Sequence, residues 1–255
     1  MSLLTIDSLT QRFGGLQAVS EFSVEMRGGE LMGLIGPNGA GKTTIFNLIS
    51  GFYQPTEGII TLNGTPTAGL RPHQVTSLGV ARTFQNIRLW HDMTVLDNIR
   101  IAQHYRMGYS VWDSIIRGKK YREREARILE IAEELLEAMS LSDYALEYPK
   151  NLPYGLQRRV EIARAMSIRP KLLLLDEPAA GLNSSDVEEL IKLVSWIHEN
   201  FDITIFMIEH QMKVVTSLCQ WIKVIDFGAT IAEGTAEDIQ SNPAVIKAYL
   251  GDDNI

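Results

Sequence analysis

The hydrophobic and polar positions near both ends of the chain follow the patterns of β-strands. Apolar and polar residues alternate over 4–9 and 22–26, which predicts half-buried strands, and a glycine pair at 28–29 marks the turn that follows. Uninterrupted apolar runs at 172–175 and 203–208 predict parallel strands that helices cover on both faces. The pattern therefore predicts an α/β core whose sheet is mixed, with a parallel centre.

The middle of the chain follows a helical period instead. Between about 97 and 167, apolar residues recur at spacings of three and four, with Glu and Arg on the other face. The clearest run is Ile128, Ile131, Ala132, Leu135 and Met139. This pattern predicts a helical subdomain, and residues 222–232 predict a β-hairpin before an acidic helical tail that ends near Gly251.

Charge and composition narrow the classes of partner. The chain has 255 residues, 45% of them hydrophobic, so it is long enough to build a core of its own. With 24 Lys and Arg against 31 Asp and Glu, the formal charge is −7, which argues against a nucleic-acid partner. The single cysteine, Cys219, excludes an internal disulfide, and its apolar setting predicts a buried thiol. No apolar stretch approaches the roughly 18 residues that span a bilayer, so we predict no direct membrane insertion.

A phosphate-binding loop lies directly after the apolar run at 31–35 and directly before a helix-compatible segment at 44–50. The loop and the first residue of that segment are Gly36, Pro37, Asn38, Gly39, Ala40, Gly41, Lys42, Thr43 and Thr44. The glycines let successive N–H groups point at the phosphates, Lys42 adds a cation, and the helix presents its positive end to the same anion. Thr43 offers a hydroxyl to a nucleotide-bound Mg²⁺. A glycine-rich turn that binds nothing would not need all these positions, so the loop predicts binding of a purine nucleoside triphosphate.

The carboxylates that hydrolysis needs follow the four leucines at 172–175. Asp176 emerges at the end of this predicted strand, where a metal-binding acid is required beside the phosphate loop. Glu177 comes next and can polarise a water in line with the γ-phosphate, which makes it the candidate general base. The alternative is an Asp-Glu pair that merely ends a strand, and the phosphate loop in the same chain counts against it.

With these motifs the chain resembles the nucleotide-binding subunits of ABC transporters over essentially its whole length. The resemblance implies a P-loop NTPase of ABC type, with a RecA-like core at 1–96 and 168–255, an antiparallel β subdomain, and an α-helical subdomain at 97–167. It implies ATP and Mg²⁺ as cofactors and ATP hydrolysis as the reaction. The implied metal ligands are Thr43, Gln85 and Asp176.

The resemblance also implies roles for four single residues. Gln85 falls at the glutamine that touches the metal and the attacking water, although without the family context it would be a surface glutamine. His210 matches the histidine that hydrogen-bonds the γ-phosphate and orients the catalytic glutamate, here Glu177. Phe13 stands at the aromatic that stacks on adenine, with a core position as the alternative. Asn183 stands where the family usually has an aspartate, so it can keep the hydrogen bonding without the charge.

Residues 151–165 resemble the family's signature helix, with two departures at its start. Pro153 replaces the serine whose hydroxyl reaches the γ-phosphate, and Tyr154 replaces the first glycine. Proline has no N–H to substitute for that hydroxyl. Phosphate contact at this helix start is therefore expected from the backbone N–H groups of Gly155 and Leu156, which stand at its positive end. Together with Tyr154 they are the nucleotide-binding residues predicted for this helix.

Other stretches are typical of one subgroup of the family. The Tyr-Gly pair at 154–155, with the residues that follow it, is typical of the ATPases of branched-chain amino-acid importers. The segment 103–127, with Trp112 and a basic cluster at 117–122, resembles an insertion that these ATPases carry, and 248–251 resembles their C-terminus. By itself, the basic cluster predicts a solvated loop.

The resemblance implies a two-fold dimer, in which the phosphate loop of one chain and the signature helix of the other sandwich ATP. The sequence is compatible with a homodimer and with a heterodimer that includes a second ATPase. Two integral membrane permease subunits, an indirectly associated substrate-binding protein and a location at the cytoplasmic face of the membrane are also implied. Leu89, Trp90 and Met93 are predicted to help line a groove for a cytoplasmic helix of a permease, with ordinary packing inside the subdomain as the alternative.

The leading hypothesis is the ATPase subunit of an importer for branched-chain or other hydrophobic amino acids. Its cargo would not touch this chain, so urea or amide uptake and lipopolysaccharide export are alternatives within the transporter class. Lipopolysaccharide exporters usually keep the serine and paired glycines that Pro153 and Tyr154 replace. A soluble ABC ATPase of DNA repair or translation would be expected to have coiled-coil arms, tandem cassettes or a basic surface, and the sequence contains none of these.

Overall fold

The computed structural model describes residues 2–106 and 118–250. The chain divides into two units, one comprising Met1–Gln85 with Lys171–Ile255 and the other comprising Asn86–Pro170. The strands are β1 Ser2–Phe13, β2 Leu16–Arg27, β3 Leu31–Ile35, β4 Glu57–Leu62, β5 Thr65–Pro66, β6 Val80–Arg82, β7 Leu172–Asp176, β8 Thr204–Ile208, β9 Trp221–Asp226 and β10 Ala229–Gly234. The α-helices are α1 Lys42–Ile49, α2 Pro72–Ser77, α3 Val95–Ala102, α4 Lys119–Ala138, α5 Tyr154–Met166, α6 Ser184–Asn200, α7 Met212–Leu218, α8 Ala236–Ser241 and α9 Pro243–Leu250. Short 3₁₀ helices lie at Gln103–Arg106, Ser142–Tyr144 and Pro149–Asn151.

The first unit is built around a six-stranded sheet with the order β10-β9-β3-β8-β7-β6. Strands β9, β3, β8, β7 and β6 are parallel, and β10 joins the edge antiparallel to β9. Every residue of β3, β7 and β8 is buried, as expected for strands with both faces covered. The predictions of a mixed sheet with a parallel centre and of a hairpin near the C-terminus are confirmed.

A four-stranded antiparallel sheet, in the order β2-β1-β4-β5, belongs to the same unit. Alternate residues of β2 are buried, among them Phe22, Val24 and Met26, while their neighbours along the strand are exposed. These side chains share one hydrophobic core with Phe46 of α1 and Phe206 of β8. The alternation in the sequence therefore identified the buried face of this strand correctly.

The register of the parallel strands brings three loops to one edge of the sheet. Ile208 of β8 pairs with Leu34 of β3 on one side and with Asp176 of β7 on the other. The segments that follow β3, β7 and β8 therefore leave the sheet at the same level. Ligands bind outside the carboxyl ends of the strands in parallel α/β sheets, so we expect the functional site at this edge.

The second unit is helical in its described residues and contains α3, α4 and α5. Ile128, Ala132 and Leu135 are buried on one side of α4, as the helical spacing predicted. The unit begins at Asn86, before the boundary near residue 97 that the helical period predicted. The earlier start has a physical cause, because the loop before α3 is bonded to that helix through several hydrogen bonds.

The side chain of Asn98 makes these bonds. Its Oδ1 accepts from the N–H of Trp90 at 2.9 Å, and its Nδ2 donates to the carbonyl oxygens of Trp90, Met93 and Thr94 at 3.0, 3.3 and 2.9 Å. Asn98 is fully buried, so these partners satisfy a polar group that would otherwise be costly. The loop has no regular spacing of hydrophobic residues, so the sequence gave no signal that it is bonded to α3.

Some predicted features fall outside the described residues, namely Trp112 and Arg117 of the predicted insertion and Gly251 near the C-terminus. Within residues 2–106 and 118–250, none of the helices has both the length and the apolar character needed to cross a lipid bilayer.

Candidate functional site

The loop after β3 has a backbone that favours glycine. Gly36 and Gly41 have φ values of 153° and 104°, a region that residues with a Cβ rarely adopt. A Cβ on Gly36 would lie 2.0 Å from the carbonyl oxygen of Ile225, and one on Gly41 would lie 2.4 Å from that of Ala18. These glycines therefore allow the loop to pack directly against the backbone of neighbouring segments.

The helix that follows the loop begins at Lys42. Gly41, which precedes it, has no side chain to cap the first turn. The first N–H groups of a helix lack intrahelical acceptors, so this helix start can receive an anion. Thr43 and Thr44 lie in that first turn and line the adjacent cavity.

Lys42 is buried inside the loop. Its Nζ donates to the carbonyl oxygens of Gly36 and Pro37 at 2.7 and 2.9 Å. Burial lowers the pKa of Lys42, and the carboxylates of Glu177 and Asp176 partly oppose that shift. The loop thus holds a cation in a confined position, and phosphate oxygens would be stronger partners for it than the two carbonyls.

Gln85 and His210, although far apart in the sequence, both lie near Glu177. The Nε2 of Gln85 donates to Oε2 of Glu177 at 2.7 Å, and Nδ1 of His210 lies 3.8 Å from the same oxygen. Glu177 has a φ of 47°, which is uncommon for a residue with a Cβ and is typical of sites where the backbone aims a side chain. All three predicted catalytic side chains after the phosphate loop therefore meet at one carboxylate.

Asp176 forms a buried ion pair that the sequence interpretation did not identify. Nη2 of Arg82 lies 2.7 Å from Oδ2 of Asp176, and the two side chains are only 6% and 4% exposed. Nη1 of Arg82 donates to Oδ1 of Asn47 at 2.8 Å and to Oγ of Ser50 at 3.3 Å. Arg82 therefore ties the end of β7 to helix α1, which carries the phosphate loop.

Glu209 is a second residue that sequence reasoning missed. It is fully buried, and its Oε1 accepts from the N–H of Ala179 at 2.7 Å. Its Oε2 accepts from the N–H groups of His210 and Gln211 at 3.0 and 3.2 Å. One carboxylate thus connects the turn that carries His210 with the segment just after Glu177. The only sequence signal was a glutamate at the end of an apolar strand.

A cavity of about 490 Å³ opens beside these groups. It is lined by Phe13, Leu16, Gln17, Ala18, residues 38–44, Gln85, Glu177 and Phe227. Phe13 is 42% exposed and packs edge-to-face on Tyr53, with ring centroids 5.3 Å apart, so the alternative of a core position for Phe13 is wrong. The cavity thus combines an aromatic wall, an anion-binding loop and a carboxylate.

Eight predicted site residues lie outside this lining, namely Gly36, Pro37, Asp176, His210, Tyr154, Gly155, Leu156 and Asn183. Tyr154, Gly155 and Leu156 form the first turn of α5 in the second unit, and Tyr154 is exposed. Asn183 precedes α6 and caps it, because its Oδ1 accepts from the N–H of Asp186 at 3.0 Å.

The structure contradicts the surface position predicted for one residue, Leu89. Leu89 is buried within the helical unit, so it cannot line an open groove, and the prediction was wrong for this residue. Trp90 is half-exposed, and its ring lies 5.4 Å from the guanidinium of Arg164. Met93 is partly buried. The sequence could not distinguish the buried Leu89 from the exposed Trp90, because a loop has no regular spacing of hydrophobic residues.

The C-terminal helix also reaches the phosphate loop. Partial burial raises the pKa of Tyr249 of α9, and the nearby backbone of Gly36 opposes the rise. The last described segment of the chain thus lies near the first glycine of the loop.

Comparisons with known proteins identify the family of this chain. The family described as "ABC transporter" matches residues 19–180, and the family described as "Branched-chain amino acid ATP-binding cassette transporter" matches residues 229–254. The chain is 44% identical to the high-affinity branched-chain amino acid transport ATP-binding protein BraF of Pseudomonas aeruginosa, over 98% of both chains. It is 43% identical to LivG of Escherichia coli, again over 98% of both.

Solved structures of ATP-binding cassettes have the same fold as this chain. A nucleotide-free ATP-binding cassette from an ABC transporter superposes with a TM-score of 0.85 at 30% identity, covering 98% of this chain and 100% of the other. An ATP-binding cassette in its ADP conformation gives a TM-score of 0.85 at 29% identity, covering 98% and 99%. The predicted fold class is confirmed. The chain therefore belongs to the ABC transporter family, as one of its ATP-binding and ATP-hydrolysing subunits.

Proposed function

We propose that this subunit energises the import of branched-chain or other hydrophobic amino acids. The observation that carries the proposal is the match of residues 229–254 to a family of branched-chain amino acid cassettes, together with relatives of that name at 43–44% identity. This segment contains β10, α8 and α9, and its Tyr249 lies near the backbone of Gly36. The part of the chain that matches the subgroup therefore ends close to the phosphate loop.

The cavity suits Mg²⁺ and ATP together. The hydroxyl of Thr43 and the amide oxygen of Gln85, both from residues of the cavity lining, are oxygen donors of the type that Mg²⁺ prefers. The carboxylate of Asp176 is a third such donor, outside the lining and paired with Arg82. Phosphate oxygens of ATP would complete the coordination. When bound, the ion neutralises the charge on the β- and γ-phosphates. Phe13 would stack on the adenine ring at the aromatic wall.

The chain's own residues then divide the work of hydrolysis. Lys42 and the N–H groups of the loop hold the phosphates, and Glu177 takes the proton from the attacking water. His210 orients Glu177 and contacts the γ-phosphate. In the present arrangement the amide of Gln85 occupies Oε2 of Glu177, so we expect this contact to give way to the attacking water when ATP is bound.

The remaining predicted site residues act in a dimer under this proposal. The start of α5, with Tyr154, Gly155 and Leu156, would close over ATP bound to a second ATPase subunit, and Asn183 would lie near the same junction. The second subunit is either another copy or a related ATPase. Two permease subunits in the membrane, and through them a substrate-binding protein, complete the proposed importer, with this chain at the cytoplasmic face.

The first test separates catalysis from binding in the purified chain. Glu177→Gln should bind ATP and hydrolyse it at least about 100-fold more slowly, because a positioned base is lost. Lys42→Ala should weaken ATP binding itself, because the phosphates lose their counter-cation. Glu188→Gln is the matched control, since it makes the same carboxyl-to-amide change on an exposed part of α6. Normal turnover in Glu177→Gln would remove Glu177 from its role.

The second test concerns the cargo. The Glu177→Gln or Glu188→Gln allele replaces the native gene in its host, and uptake of labelled leucine, isoleucine, valine and urea is measured. We expect the Glu177→Gln allele to abolish amino-acid uptake and the Glu188→Gln allele to leave it normal. Urea uptake should be normal with either allele. Loss of urea uptake with normal leucine uptake would favour the alternative importer. Normal uptake of all four, with only soluble partners after gentle solubilisation, would favour a non-transport ATPase.

A further inference from the structure

The turn between β9 and β10 carries an aromatic residue that its backbone disfavours. Asp226 pairs with Ala229, so Phe227 and Gly228 form a two-residue hairpin turn. Both have positive φ, 42° and 82°. Such turns favour Asn, Asp or Gly at the first central position, because a bulky side chain is strained there. The fold by itself gives no reason for phenylalanine at this position.

Burial of the side chain does not explain why position 227 is a phenylalanine either. Phe227 is 87% exposed, the highest value among the large hydrophobic side chains exposed in the described residues. An aromatic ring usually offsets a strained backbone by packing into a core, and this ring does not do so. Residues that break a local rule without a structural gain are typical of functional sites.

The backbone of the turn is anchored to the phosphate loop. The N–H of Gly228 donates to the carbonyl oxygen of Ala40 at 2.9 Å, and the carbonyl oxygen of Gly228 accepts from the N–H of Ser20 at 2.9 Å. A Cβ on Gly228 would lie 2.8 Å from the carbonyl oxygen of Ala18. These contacts hold the backbone of the turn beside the nucleotide cavity, whose lining includes both Phe227 and Phe13.

We infer that Phe227 is a nucleotide-binding residue whose ring packs against the adenosine part of bound ATP, in addition to Phe13. A nucleoside presents an apolar face that an exposed aromatic ring can cover, whereas the phosphates are held by the loop. Bound ATP would then be the packing partner of the Phe227 ring, which is exposed in the protein by itself. The inference needs nucleotide binding by this family and is independent of which cargo the transporter carries.

The test uses the substitution Phe227→Asn in the purified full-length chain. Asparagine suits the positive φ, so the thermal unfolding temperature should stay the same or rise. The dissociation constant for ATP, measured by calorimetry, should increase by about 5- to 150-fold, the range for loss of one base–aromatic stack. Inorganic tripolyphosphate lacks the nucleoside, so its affinity should not change.

Two controls complete the design. Phe227→Tyr keeps the ring and should bind ATP as the wild type does. Leu146→Asn removes another exposed hydrophobic residue, 78% exposed in the helical unit, and should leave ATP binding unchanged. The inference is overturned if Phe227→Asn binds ATP normally. It is also overturned if affinities for ATP and tripolyphosphate fall together, because the turn would then act only by shaping the phosphate loop.

Discussion

Replacing Arg82 with methionine should destabilise the chain far more than replacing an arginine on its surface. Arg82 and Asp176 have side chains that are 6% and 4% exposed, so the substitution would leave a buried carboxylate without its cation. Loss of one partner from a buried ion pair costs about 3–5 kcal/mol. Methionine keeps much of the side-chain volume, which separates the loss of charge from the creation of a cavity.

Two further details of the site decide where in that range the cost should fall. Arg82 also donates to the partly buried Asn47 and to the buried Ser50, and an acceptor left unsatisfied in a buried position costs about 1–3 kcal/mol. The guanidinium carbon lies within 6.0 Å of three ring centroids, and methionine preserves part of that packing. The rings belong to Phe46, Phe52 and Phe84. We therefore expect a loss of at least about 3 kcal/mol.

Urea unfolding followed by circular dichroism measures the effect. The control is Arg12→Met, because the Arg12–Glu57 pair has the same chemistry with side chains that are 46% and 58% exposed, and its loss should cost less than about 1 kcal/mol. A double variant of Arg82→Met with Asp176→Asn should be less destabilised than the sum of the single variants, since no carboxylate is left unpaired. If Arg82→Met lost no more stability than Arg12→Met, the assignment of a strong buried pair would be refuted.

Two other residues give predictions of different kinds. Glu209→Gln keeps the size of the side chain and weakens the bonds that hold the His210 turn, so kcat should fall about tenfold with little change in KM for ATP; equal changes in both would indicate a general structural role. Burial raises the pKa of Cys219 to about 12 from 9.0. A thiol reagent at pH 8 should therefore label only unfolded protein, and the free energy of unfolding should fall as pH rises from 9 towards 12, because the unfolded thiol loses its proton first. Rapid labelling of the native chain would contradict the burial.

The sequence by itself determined the parts of this protein that depend on neighbouring residues. The glycine spacing before Lys42 predicted the phosphate loop, because strand, loop and helix are contiguous and each has a local signature. The unbroken apolar runs predicted the central parallel strands, since a strand buried on both faces has no room for alternation. The helical spacing around Ile128 likewise predicted the second unit, because a packed helix buries one stripe of its surface.

Only the tertiary structure decided which distant residues meet. Arg82 and Asp176 are 94 positions apart, and Gln85 and Glu177 are 92 apart, yet both pairs are in hydrogen-bond contact. The sheet order, with β7 between β6 and β8, brings these segments together. The strained turn at Phe227 depended on the same folding, because φ and exposure are set by the strands that hold the turn. Sequence spacing contains no record of strand order or register, so these contacts follow from how the strands pack and not from any local pattern.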